Sequence, residues 1–120
     1  MLGWALRKLR ARAEADALYG GNPKGGYILL VSWTDQGIRN IKESAKRLDA
    51  GRALAKQQGC VYENIFMTMG SFDMIAVIEA PDDETLAKHV LTLGAGGNLR
   101  TVTLKAFSEE SYRKIIADLA

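Results

Sequence analysis

Asp73, His89 and Cys60 are the side chains with most scope for chemistry in this 120-residue chain. Asp73 lies just past Gly70-Ser71, between two alternating apolar runs at 61–69 and 72–79. A two-residue turn at Gly70-Ser71 sets Met69 opposite Phe72 and Thr68 opposite Asp73. Burial there would raise the Asp73 carboxyl pKa, so that it could accept a proton near neutral pH or bind a ligand amine. The plainer reading is that Asp73 accepts hydrogen bonds from Thr68 and nearby backbone N–H groups and fixes the hairpin. His89, the single histidine, is a candidate general base. Its place beside the Leu86–Val90–Leu93 stripe predicts a solvated helix residue instead. Cys60 is a potential nucleophile, but no base pairs with it in the sequence, and a buried inert thiol is expected. Trp33, Tyr62, Phe66, Arg100, Thr101 and Thr103, with Thr68 and Asp73, have the aromatic walls and few polar groups of a small-ligand pocket. The same set equally suits a dimer interface. The 94–97 stretch is Gly-rich, but no helix follows it and no Gly-Lys-Ser/Thr is present, so it reads as a helix stop rather than a phosphate loop. No metal or cofactor is expected.

The elements that must position these residues follow from periodicity. The run 27–33 is nearly all apolar and predicts a central strand. Thr34 or Asp35 caps a helix whose buried stripe is Ile38, Ile41, Ala45 and Leu48; it breaks near 49–51, resumes over 52–58, and ends at Gly59. In the hairpin, side chains alternate between two faces. One face carries Ile65, Met67, Met69, Phe72, Met74, Ala76 and Ile78. The other carries Tyr62, Asn64, Phe66, Thr68, Asp73, Ile75, Val77 and Glu79. A second helix starts at Asp82 or Asp83, a fourth strand covers 99–107, and a last helix begins at Ser108-Glu109-Glu110 with Tyr112, Ile115, Ile116 and Leu119 on its apolar side.

The predicted fold class is α+β: a ferredoxin-like βαββαβ unit with a four-stranded antiparallel sheet, plus a C-terminal helix. Right-handed crossovers give the strand order 4-1-3-2. Helices then cover one sheet face. The other keeps Tyr62, Phe66, Ile75 and Val77 exposed, which forfeits about 1.5–3 kcal/mol for each. Such a patch predicts a homodimer or higher homo-oligomer.

The net charge of +2 is too small to argue for nucleic acid. Residues 1–26 hold five basic and two acidic side chains, a net of +3; the other 94 hold 11 basic and 12 acidic, a net of −1. The chain therefore divides into a basic arm with a Gly-rich linker, 1–26, and a domain, 27–120. Leu2, Leu6, Leu9 and Ala13 recur at helical spacing, with Trp4, Arg7, Lys8, Arg10 and Arg12 around them, which predicts an amphipathic helix over 2–18. Its candidate partners are an anionic membrane surface or a larger protein assembly, reached through residues 1–20; nucleic acid is not expected. A helix packed on its own domain is the blander alternative. No apolar run reaches the roughly 20 residues that span a bilayer. The lone cysteine fits a reduced, cytoplasmic setting, with peripheral membrane contact left open.

Four stretches together resemble the GYD-domain family of small bacterial proteins: Tyr27 to Gly37, Met67 to Asp73, Glu79 to Asp83, and Gly97 to Leu104. Phe72 stands where the family's name implies Tyr, so a phenolic hydroxyl at that place is not essential here. The resemblance implies a ferredoxin-like fold of the dimeric α/β-barrel type. Related barrels that bind haem give His89 a second candidate role, as an axial ligand. The expected function is a non-enzymatic binding or accessory protein that self-associates through its open sheet face and attaches through its arm. The alternatives are a cofactor-free oxygenase or isomerase using Asp73, and an effector-sensing domain.

Overall fold

The computed structural model describes residues 3–8 and 26–120. Helix α1 covers 3–8. It is followed by β1 (Gly26–Trp33), α2 (Asp35–Arg39), a 3₁₀ turn (Ile41–Glu43), α3 (Ser44–Gln58), β2 (Val61–Met67), β3 (Met74–Glu79), α4 (Asp83–Ala95), β4 (Leu99–Ala106) and α5 (Glu109–Ala117). The four strands form one antiparallel sheet in the order β2-β3-β1-β4, as right-handed crossovers require. This is the α+β ferredoxin-like arrangement. The sheet of the single chain does not close on itself, so a barrel is not supported: it is open, with β2 and β4 at its edges.

Tyr27, Leu29 and Val31 of β1 alternate inward and are buried, with Ala76 and Ile78 of β3, Ala55 and Leu86 of the helices, and Cys60. This core lies between the sheet and the helices α3 and α4. Thr34 caps α2 by accepting from Gly37 N–H, Asp82 caps α4 by accepting from Thr85 N–H, and Ser108 caps α5 by accepting from Ser111 N–H. Gly59 ends α3 with φ +89°, the left-handed conformation that suits glycine.

Three details differ from the sequence reading. The first long helix breaks at Asn40, and α3 runs unbroken through 49–51. The break turns the inward stripe to Ser44, Leu48, Gly51, Ala55 and Gln58, leaving Ala45 exposed and Arg47 half-buried. Asn40 N–H still reaches Gln36 O, and the Arg47 guanidinium donates to Asn40 O (2.8 Å) and Gly37 O (3.3 Å), which stabilises the step. The hairpin connection is also wider than a two-residue turn. Thr68 N–H donates to Asp73 O (2.8 Å), but Asp73 N–H turns to Val31 O (2.9 Å) on the neighbouring strand, so residues 69–72 loop outward. Met69 is consequently 95% exposed instead of facing the helices. Last, the pairing of β2 with β3 shifts by one residue between Tyr62 and Asn64, a bulge at Glu63.

The arm expected at 1–26 is described only over 3–8. Arg10, Arg12 and the Gly-rich linker up to residue 25 lie outside the described residues.

Of the described glycines, Gly37 has the least room for a side chain. A Cβ there would lie 1.9 Å from Asn98 O, where the loop before β4 crosses α2. Thr34 N–H also donates to Asn98 O (3.1 Å), so neither backbone can yield freely. Gly37→Ala is therefore expected to destabilise the domain by about 3 kcal/mol, read as a lowered denaturant midpoint.

Candidate functional site

Asp73 sits at the end of the sheet and is already engaged. Its Oδ2 accepts the backbone N–H of Trp33 (2.9 Å), just where β1 leaves the sheet. Thr68 Oγ1 donates to Phe72 O (2.6 Å). The Asp73 carboxylate thus ties the hairpin to β1 through a backbone N–H, as the plainer reading has it, while the Thr68 hydroxyl bonds inside the hairpin to Phe72 O instead of to Asp73.

The other candidates do not gather around Asp73. Strand alternation divides them between the two sides of the sheet. Trp33 pairs with Leu99 on the side of Leu29 and Val31, facing the helices. Thr101 and Thr103 pair with Val31 and Leu29 and share that side. Phe66, opposite Ile75, and Arg100, opposite Ser32, point the other way. Tyr62 was expected with Phe66, but the bulge at Glu63 places it opposite Ile78, under the helices. One extra residue in a strand exchanges its faces, and that is the cause of this correction.

His89 also departs from expectation. It is fully buried, at 0% exposure, instead of solvated. Leu86, His89 and Leu93 stand at i, i+3 and i+7 of α4, so the inward stripe is broad enough to take in the imidazole. The ring is tolerated there because both nitrogens are satisfied. Nδ1 lies 2.8 Å from Gln58 Oε1, and Nε2 lies 2.6 Å from the Tyr62 hydroxyl. With Nδ1 donating to the Gln58 carbonyl oxygen, Nε2 accepts the Tyr62 proton. The Tyr62 and His89 rings also meet edge to face, with centroids 5.6 Å apart. Burial lowers the His89 pKa and pushes Tyr62 up to about 12, so both groups are neutral at physiological pH. Sequence reading missed this chain of three. Its one available signal was the i+3 spacing of His89 from Leu86.

Beside the Tyr62 hydroxyl lies a partly enclosed cavity of about 80 Å³, between the sheet and the helices α3 and α4. Its wall is mostly carbon, with Ser44 and Arg47 among the lining residues. Cys60 is buried near the other end of α3, and burial raises its thiol pKa, which makes it a weak nucleophile. A second small network joins the Tyr27 hydroxyl to Asp83, which also pairs with Lys105 (3.2 Å). Its hydrogen bonds, first that from Tyr27, hold the Asp83 carboxyl below the usual range. Among the described residues no group of three His, Cys, Asp or Glu side chains is disposed to hold a metal ion.

The opposite face of the sheet carries two cross-strand rows. One runs Val102–Leu30–Ile75–Phe66, and the next runs Leu104–Ile28–Val77–Asn64. Seven of these eight residues are apolar. Phe66 is 56% exposed, Val102 49% and Leu104 45%. Of the N-terminal arm, Trp4 lies 4.7 Å beneath Lys56 Nζ of α3, and Lys8 pairs with Glu79 at 3.6 Å, while Leu6 and Arg7 remain exposed.

The fold and these features define a small ferredoxin-like domain with one sheet face packed around a buried Tyr–His–Gln chain and the other apolar and left bare by the described residues. The chain belongs to the GYD-domain family, whose model matches residues 27–116. It is similar to a protein of Thermus thermophilus described as a glutamine synthetase and cystathionine beta-lyase binding protein. The two are 28% identical over 81 residues, covering 67% of this chain and 85% of that protein. No solved structure matches. No helix of the described residues is long and apolar enough to cross a membrane.

The buried His89 gives the fold a pH dependence. Its folded-state pKa lies below the ordinary 6.5, so below that pH the unfolded chain takes up the proton more readily. The contribution of His89 is then complete above about pH 6.5 and is lost as the pH falls. Denaturant midpoints of the wild type are expected to drop between about pH 7 and 5, and His89→Gln is expected to flatten that slope. The low pKa of Asp83 adds its own loss only further down, below 3.8.

Proposed function

We propose that this protein is a non-enzymatic binding protein, that two copies associate through the bare sheet face, and that the assembled particle docks onto a protein partner. The observation that carries the reading is the pair of apolar rows in register across the sheet, exposed at Phe66, Val102 and Leu104 on the edge strands and half-buried at Ile28, Leu30, Ile75 and Val77 between them. Burying such surface yields about 25 cal/mol per Å², and a contiguous patch of this kind marks an interface. The similarity to a protein named for binding glutamine synthetase and cystathionine beta-lyase supports an enzyme as the partner. α5 adds to the available surface, since Tyr112, Ile115 and Ile116 are exposed on it and Leu119 is exposed just past its end.

The N-terminal segment supplies a second contact through its outward basic side. Trp4 and Lys8 engage this chain's own Lys56 and Glu79, which leaves Arg7 and Leu6 facing outward. That arrangement favours an acidic protein surface over a membrane, because an interfacial helix would place its Trp in the headgroups. The reading of Asp73 as a catalytic base gains no support, as its carboxylate serves the Trp33 amide.

Sedimentation velocity at micromolar concentration is expected to give a multiple of the 13.1 kDa chain mass. Paired substitution Val102→Glu and Leu104→Glu is expected to give the monomer with an unchanged far-UV spectrum. Wild-type protein that sediments as a monomer would remove the sheet face from this role. Co-sedimentation with purified glutamine synthetase of the same organism tests the partner, and no shared boundary would exclude that enzyme.

A further inference from the structure

The cavity beside Tyr62 is built from the core outward. Leu29 and Val31 floor it from the sheet, and Ile65 and Leu93 close its sides. Its polar lining is Ser44, Arg47, whose guanidinium donates to Asn40 O and Gly37 O, and the Tyr62 hydroxyl, which alone belongs to the His89 network. The proton of that hydroxyl is committed to His89 Nε2, because His89 Nδ1 faces Gln58 Oε1. The oxygen keeps a lone pair with which to accept. Gly51 stands over it. This glycine is buried in the middle of the fifteen-residue α3, and its φ is not in the left-handed range. A Cβ at this position would meet Leu93 Cδ2 at 3.7 Å and Tyr62 Oη at 4.0 Å, both ordinary contacts. Alanine would therefore fit and would favour the helix. The chain instead keeps open the space directly over the hydroxyl.

We propose that this cavity is a binding site for a small neutral alcohol, whose apolar body fills the carbon-walled space and whose O–H donates to Tyr62 Oη. A cation is opposed by the Arg47 guanidinium in the lining, and any charged ligand must be stripped of its water in a wall that is mostly carbon. A ligand that only accepts finds no free hydrogen on Tyr62. The volume of about 80 Å³ is near half that of an apolar cavity that holds benzene, which limits the seated portion to about three to four heavy atoms.

The test is a methyl and amide NMR titration of the full chain with 2-propanol and with acetone, which share a shape but differ in the donor. Saturable shifts at Leu93, Val31 and Ile65 are expected with 2-propanol, and binding about three- to tenfold weaker with acetone. Gly51→Ala is expected to weaken 2-propanol binding while leaving the melting temperature equal or higher. Tyr62→Phe is expected to bring the two affinities together. Linear, unsaturating shifts would overturn the site. Equal affinity for both probes in the wild type, or unchanged affinity in Gly51→Ala, would overturn the assignment to Tyr62 and to the space over it.

Discussion

A β-sheet has two faces, and the described residues of this chain cover one of them. That constraint shapes the molecule. The helices α3 and α4 both return to the side of Leu29, Val31, Ala76 and Ile78, because both crossovers are right-handed. Nothing in a βαββαβ unit returns to the other side. The sequence nonetheless keeps that side apolar in step across the strands, with Leu104, Ile28 and Val77 in one row and Val102, Leu30, Ile75 and Phe66 in the next. Polar residues on these positions would suit a solvated sheet just as well, so the apolar choice points to a covered one.

On the packed side, order comes from a few polar contacts in an apolar setting. The Trp33 amide is held by Asp73, the α2 start is clamped to the loop before β4 through Thr34 and Gly97 (2.5 Å), and His89 is fixed between Gln58 and Tyr62. Each would be costly to break, because each leaves a buried polar group unpaired. The bulge at Glu63 is what brings Tyr62 into this set. The bulge therefore joins the two sides of the fold: it takes a phenol away from the bare face and supplies the hydroxyl that satisfies the only histidine.

Much of the fold was legible in the sequence because it rests on local signals. The capping residues Thr34, Asp82 and Ser108, the stop at Gly59, and the alternation in 27–33 all act over a few residues. The strand order follows from handedness alone. The site was far less legible. Alternation by itself puts Tyr62 on the wrong face, because a bulge leaves no mark in an alternating pattern. Helical periodicity makes His89 look solvated, because its partners, Gln58 and Tyr62, come from other elements. The helix break at Asn40, rather than near Gly51, is bridged by the Arg47 guanidinium to Asn40 O and Gly37 O, and α2 before it packs on Asn98, 61 residues beyond Gly37. Each of these depends on a tertiary neighbour that a one-dimensional reading does not contain.

The proposed covering of the bare sheet by a second copy is tested most directly by an isotope-filtered NOE experiment on a mixture of labelled and unlabelled chains. Intermolecular cross-peaks are expected from the methyl groups of Val102 and Leu104 to residues of the same two rows on the other copy. Absence of such peaks, together with fast relaxation of these methyl groups by a soluble paramagnetic probe, would show the face open to water and contradict it.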